Sequence, residues 1–310
     1  MKLFRTWMIG VAALLAPHMA PAQTAAPRPA PAPAPAATPA TAAKPALWVI
    51  HDHDTTIYLF GTIHVLKPGI GWFDRAVKQA FDRSGTLILE LVLPENPASI
   101  QGVVVAKGMT KDGPTLPEQL PADHRALYAK ALADLGLPAA AFDRARPWFA
   151  ATNLSLLPLM RAGYDPAQGP ESVLTKAAKA AGKPVEGLET FEQQIGYLSG
   201  LSQPAQVAFL DQTLDELPKA QTQIGGMVAA WTKGDPETIG RELNKGIDKQ
   251  PELAKTLLFD RNERWATAIK ARLAKPGTVF IAVGAGHLAG NRSVLADLKK
   301  LGVEARRVVY

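Results

Sequence analysis

The chain is 310 residues long, has no cysteine and 26 prolines, and carries a formal net charge of +6 at pH 7. Zero cysteines exclude a disulfide scaffold, a cysteine-ligated zinc site, a cysteine nucleophile and an N-terminal lipoprotein anchor. Lys2, Arg5, Arg28 and Lys44 are the charged residues before residue 47, and taking these four from the 34 basic residues leaves 30 against 28 acidic. The remainder is nearly neutral, so a nucleic-acid partner loses its electrostatic footprint.

Met1 to Ala22 has the parts of a secretory signal peptide: basic Lys2 and Arg5, an apolar run from Trp7 to Ala16, and the small-x-small triplet Ala20-Pro21-Ala22. The run is too short to span a bilayer. The expectation is an exported protein, periplasmic or secreted, with no integral membrane segment once the signal is removed. Gln23 to Ala46 is 24 residues of which 18 are Ala or Pro, a composition that reads as a semi-extended, disordered linker. Residues 47–310 are then expected to form one domain.

Leu47–Ile50 and Thr56–Phe60, separated by the polar turn His51-Asp52-His53-Asp54, read as a hairpin. Phe73–Phe81 has helical spacing, and Thr86–Val92 is a nearly continuous apolar strand of the kind buried on both faces. About residues 122–274 the pattern is helical, interrupted by one extended piece, Pro184–Gly187, and by the segment Gly225-Gly226-Met227, which reads as exposed. Thr278–Val283 is a second buried-type strand, followed by a helix over Ser293–Leu301 and a final strand over Val303–Val309. The fold class expected is mixed α/β: a central sheet built from both ends of the chain, flanked by helices, with a long all-helical middle.

A faint repeat directs attention to two loops. Gly61-Thr62-Ile63-His64 and Gly284-Ala285-Gly286-His287 each follow an apolar strand and precede a helix. Ligands in open α/β sheets bind outside the carboxyl ends of strands. Glycines such as Gly61, Gly284 and Gly286 allow tight turns and close backbone approach, and histidine supplies a titratable nitrogen or a metal ligand. If the two strands are neighbours, both imidazoles enter one crevice; two loop histidines satisfied by backbone carbonyls is the other reading. Glu90 is the one polar residue of its strand core and needs a metal, a cation or hydrogen bonds if buried. Glu189 precedes a helix, where a carboxylate suits the helix dipole, and Arg261 and Asn262 read from composition as a solvated helix face. His51 and His53 lack the further ligands that a metal site requires, and His124 reads as a surface residue. No Gly-x-Ser-x-Gly, P-loop or His-Glu-x-x-His is present.

The segment Thr56–His64, the run Leu87–Leu91 containing Glu90, Gly182–Thr190 containing Glu189, Arg261-Asn262 followed by Trp265, and Val283–Gly290 containing His287 together resemble the TraB/PrgY/GumN family, and its GumN-like bacterial branch in particular. One departure is visible: Gly169-Pro170-Glu171 stands where the family pattern suggests Gly-Ile-Asp. The family is similar to the Tiki metalloproteases and to the erythromycin esterase and ChaN-like haem-binding proteins. The resemblance implies a metal site from His64, Glu90 and His287, holding a divalent ion such as Mn²⁺, Co²⁺ or Zn²⁺. Glu189, Arg261 and Asn262 are then catalytic candidates, Glu189 as general base and Arg261 as oxyanion stabiliser. The implied activity is peptidase-like hydrolysis of a peptide or of a small amide or ester. A metal-independent esterase-like hydrolase and a non-catalytic binding protein for haem or a peptide signal are the alternatives.

Overall fold

In a computed structural model of the chain, residues 41–94, 96–244 and 250–310 are described. The expected signal peptide and most of the Ala/Pro-rich segment lie outside the described residues. Ala43 and Ala46 are buried, so the packed part of the chain takes in the end of that segment. Among the described residues no helix is long and apolar enough to cross a membrane.

The expected hairpin forms from β1 (Leu47–His51) and β2 (Thr55–Thr62), antiparallel, with Leu47 opposite Phe60. Asp52 closes the turn by accepting the N–H of Thr55 at 2.8 Å and of Asp54 at 3.2 Å, a local carboxylate-to-backbone pattern that stabilises tight turns. α1 (Arg75–Arg83) begins two residues later than the sequence pattern suggests. Lys183 caps the end of α1, donating to the carbonyls of Phe81 (2.6 Å), Asp82 (3.0 Å) and Ser84 (2.6 Å). β3 (Thr86–Leu91), α2 (Pro97–Gly108), α3 (Ala122–Asp134), α4 (Pro147–Arg161) and α5 (Pro170–Ala180) follow.

Next come β4 (Val185–Glu189), α6 (Phe191–Ser199), α7 (Gln203–Glu216), α8 (Ala220–Thr232) and α9 (Pro236–Asn244). The chain ends with α10 (Asp260–Arg272), β5 (Gly277–Gly284), α11 (Val294–Lys300) and β6 (Arg306–Arg307). The last strand is shorter than the expected Val303–Val309: Arg306 and Arg307 pair with Val49 and Trp48 at the sheet edge, and the Val308 N–H donates to the Leu47 carbonyl at 2.9 Å. Met227, expected to be exposed, is 3% accessible and packs in the core from α8.

The six strands form one mixed sheet in the order β4-β3-β5-β2-β1-β6. The three strands that carry the site, β3, β5 and β2, are neighbours and parallel. Alternation along each strand sends side chains to opposite faces. Phe60, Leu87, Leu89, Phe280 and Ala282 join one core cluster, while Ile57, Leu59, Ile88, Val279, Ile281 and Val283 join another with Trp265 of α10. Both faces are therefore covered, which explains why β3 and β5 read as continuous apolar runs. A third cluster fills the helical middle around Trp148 and Leu154 of α4. That helix is buried nearly all round because its polar side chains bond within it: Thr152 to the Trp148 carbonyl at 2.7 Å and Ser155 to the Ala151 carbonyl at 2.8 Å.

Candidate active site

The register between β2 and β5 sets the site. Thr62 lies opposite Gly284, so the two Gly-x-x-His loops leave neighbouring strands at the same height. Gly61 sits against Ala285 and its carbonyl accepts the indole N–H of Trp231 at 2.7 Å. Gly286 and His287 are buried in a single 3₁₀ turn, Ala285–Leu288. Of the two readings the sequence left open, the structure has the shared crevice. A Cβ added at Gly284 would sit 3.1 Å from Glu90 Oε1, 3.4 Å from His64 Nε2 and 3.7 Å from His287 Cδ2. The space left by this missing side chain is thus bounded by all three residues.

Each imidazole is held from behind by its Nδ1. That of His64 lies 2.6 Å from Glu171 Oε1, and that of His287 lies 2.5 Å from Asn262 Oδ1. The Asn262 amide donates from Nδ2 to the Arg292 carbonyl at 2.6 Å, which fixes its oxygen as the acceptor towards His287. Both rings therefore donate from Nδ1 and present Nε2 to the crevice. His287 is 1% accessible and packs against the Trp265 ring, with centroids 4.1 Å apart and planes tilted by 39°. Burial, with the positive charges of Arg261 and His64 nearby, holds its pKa well below the usual histidine value, so its Nε2 carries a lone pair at neutral pH. His64 differs. Burial lowers its basicity, but the charge and hydrogen bond of Glu171 and the charge of Glu90 outweigh that and raise its pKa to about 9. Glu171 moves the other way: burial alone would raise it, but His64 and the Thr62 hydroxyl hold it below the usual carboxylate range.

The third wall is a buried ionic network. Glu90 Oε1 accepts the Gly284 N–H at 2.6 Å and Oε2 accepts Arg261 Nη2 at 3.0 Å. Arg261 also grips Glu189 through Nε (2.9 and 3.0 Å) and Nη2 (2.7 Å). Glu189 accepts two more bonds, from Gln194 Nε2 and Trp265 Nε1, each at 3.1 Å. Its two oxygens are thus occupied by Arg261, Gln194 and Trp265, and the carboxylate expected to serve as base braces the arginine. Arg261 and Asn262, expected on a solvated face, are 4% and 0% accessible. Both sit at the start of α10, just beyond a π-helical turn, Lys255–Phe259, and Arg261 Nη1 donates back to the Leu257 carbonyl at 3.2 Å. Such wide turns re-aim the residues that follow them.

Other candidates fall elsewhere. His51 is exposed and bonds Thr56 Oγ1 at 2.9 Å, and His53 is exposed. His124 is more enclosed than expected, between Asp211 (3.6 Å) and Asp215 (3.4 Å) of α7. Sequence reasoning gave no role to Glu171, Thr62, Trp265 or Gln194; the Gly-Pro-Glu departure was the one visible pointer to Glu171.

A divalent ion fits the crevice in donor chemistry. Two imidazole Nε2 atoms and one carboxylate suit a first-row ion, and each imidazole has the outer hydrogen bond that metal-ligating histidines commonly make. Among the described residues no group of three or more His, Cys, Asp or Glu forms a ready-made cage; Glu90, already bonded to Gly284 and Arg261, stands 3.7 Å from His287 Nε2.

A mixed α/β protein with paired histidine loops at adjoining strand ends, each backed by a side-chain acceptor, is the class that this fold and crevice define. The chain belongs to the TraB/PrgY/gumN family, which matches residues 46–307. It is 26% identical over 302 residues to "Metalloprotease TIKI2" of Danio rerio, covering 80% of this chain and 57% of that protein. It is 29% identical over 157 residues to "Uncharacterized protein YbaP" of Escherichia coli K12, covering 51% of this chain and 58% of that protein. "Metalloprotease TIKI1" of Homo sapiens is 25% identical over 310 residues, covering 83% of this chain and 61% of that protein. The matches thus span about three-fifths of these relatives' own length. No solved structure matches.

Proposed function

We propose that the protein is an exported, metal-dependent hydrolase of the peptidase kind, acting at the crevice on a peptide or on a small amide or ester bond. The observation that carries this reading is the pair of imidazoles whose Nδ1 atoms are both engaged, so that His64 and His287 turn Nε2 towards the space that Glu90 also bounds. Two names among the relatives, both metalloproteases, favour the same class. Export rests on the pattern of residues 1–22 alone.

In this reading His64 Nε2, His287 Nε2 and Glu90 would hold a divalent ion (Mn²⁺, Co²⁺ or Zn²⁺), which supplies a water of lowered pKa and polarises a scissile carbonyl. The chain's own residues do the rest. Gly284 N–H and Arg261 Nη2 fix the two Glu90 oxygens. Arg261 places a buried positive charge beside the crevice, where negative charge develops on a carbonyl oxygen during attack. Glu189 keeps that guanidinium from turning away. Asn262 and Trp265 hold the His287 ring from its back and its face.

The test is cleavage of a peptide library by purified protein, by His287→Ala, and by protein treated with chelator. Cleavage lost in both the variant and the chelated sample is expected. Activity that survives exhaustive chelation would overturn the metal and favour a metal-independent hydrolase with a histidine base, a part that His287, whose Nε2 carries a lone pair at neutral pH, suits better than His64. Peptide binding without turnover would favour a binding protein.

A further inference from the structure

We propose that Glu171 is the positioning residue of His64, delivered to it by an entry into α5 that only glycine permits at position 169. The inference rests on the reading that the crevice is the functional site.

α5 starts at Pro170, with Gly169 as its N-cap. A Cβ built on Gly169 would collide with the carbonyl oxygen of His64 and lie 3.1 Å from that of Pro166. The first turn of α5 is therefore seated on the backbone of the His64 loop, closer than any side chain at 169 allows. Proline at the first helical position loses no helix bond there and presets the helical φ. The next residue is Glu171, whose side chain reaches inward.

What it meets comes from one motif. Oε1 accepts the Thr62 hydroxyl at 2.5 Å and lies 2.6 Å from His64 Nδ1. Thr62 is 2% accessible, and the side chains of His64 and Glu171 are 12% and 25% accessible. One carboxylate oxygen thus ties the last residue of β2 to the imidazole two residues on, and sets the plane in which Nε2 faces the crevice. A carboxylate in a first turn that served only the helix dipole would do so from the surface, with no imidazole partner. The two histidines are also held differently: His287 by a neutral amide, His64 by a charged acceptor, and charge-assisted bonds are roughly twice as strong as neutral ones.

The experiment compares full-length protein with Glu171→Gln, Glu171→Asp and Thr62→Val, each first checked for folding by its cooperative thermal transition. Two readouts are taken on metal-free protein: Co²⁺ affinity by calorimetric titration, and the strongly downfield His64 Nδ1 proton by NMR with ¹⁵N-labelled histidine. Glu171→Gln is expected to weaken Co²⁺ binding by about 10–100-fold, the usual cost of losing an outer partner of a ligating histidine, and to move the Nδ1 proton upfield. Glu171→Asp, which keeps the charge on a shorter arm, is expected to fall between, and Thr62→Val to lose less than Glu171→Gln. A folded Glu171→Gln with unchanged affinity and an unchanged Nδ1 proton would overturn the proposal, even if its melting temperature fell. Should the unaltered protein bind no Co²⁺, the metal-dependent reading fails, and the Nδ1 proton still decides the role of Glu171.

Discussion

Replacing Arg261 by methionine is the most informative perturbation of the site's frame. The guanidinium makes four contacts with two carboxylates: Nε to both Glu189 oxygens, Nη2 to Glu189 and Nη2 to Glu90, all between 2.7 and 3.0 Å. Methionine fills a similar volume but leaves Glu189, 7% accessible, and the Glu90 oxygen without their cation. Breaking one partner out of a buried ion pair costs about 3–5 kcal/mol, because a charge is left uncompensated. For a domain of this size each kcal/mol moves the melting temperature by about 2–4 °C, so Arg261→Met should melt about 6–20 °C below the unaltered protein. Differential scanning calorimetry measures this directly. Adding Glu189→Leu should recover part of the loss, since one of the two stranded carboxylates is then gone. Arg261→Lys should keep the charge but lose the fork that spans both partners, and melt between the two. A melting temperature for Arg261→Met within about 1 °C of the unaltered protein would refute the claim that this network supports the crevice.

Other outcomes follow from the same geometry. The raised pKa of His64, near 9, means that the folded metal-free protein holds a proton that the unfolded chain releases from about pH 6.5 upwards. Its contribution to stability is therefore complete below about pH 6.5 and lost as pH rises towards 9; the stability gap between the unaltered protein and His64→Gln should shrink over that window, and a gap that stays level or widens would contradict the assignment. His287 has the opposite sign: the unfolded chain takes up its proton first, so its contribution weakens as pH falls below about 6.5, and His287→Gln should flatten the acid limb of the stability profile. Lys183→Met should cost about 1–3 kcal/mol, by leaving the carbonyls at the end of α1 without their donor; hydrogen exchange should speed up around Phe81–Gly85, and unchanged protection there would show that Lys183 is dispensable.

Much of the architecture is legible in the residues because its causes are local. β3 and β5 announce themselves as apolar runs because helices cover both faces of the sheet, and the hairpin turn announces itself through Asp52. The paired loops are legible because Gly61 and Gly284 stand at strand ends next to a histidine three residues on. What the sequence conceals depends on distant partners. Arg261 and Asn262 carry polar side chains on a helix rich in charge, so composition places them in solvent. They are buried because Glu189, Glu90 and His287 arrive from three other segments. Glu189 looks like a helix-start carboxylate for the same reason. Glu171 is hidden by length, since its reach to His64 is set by how closely Gly169 lets α5 approach, which spacing along the chain does not encode. The final strand is over-read because alternating residues near Val303–Val309 suggest pairing along the whole run, yet at the sheet edge the strand is confined to Arg306 and Arg307, with one further bond from the Val308 N–H to the Leu47 carbonyl.

In the proposed function His64, Glu90 and His287 act as one donor set. Titration of metal-free protein with Co²⁺ or Mn²⁺, repeated on His64→Ala and His287→Ala, measures this most directly. The predicted result is saturation near one ion per chain for the unaltered protein and loss of that binding in each variant. Equal stoichiometry and affinity in all three proteins would contradict it.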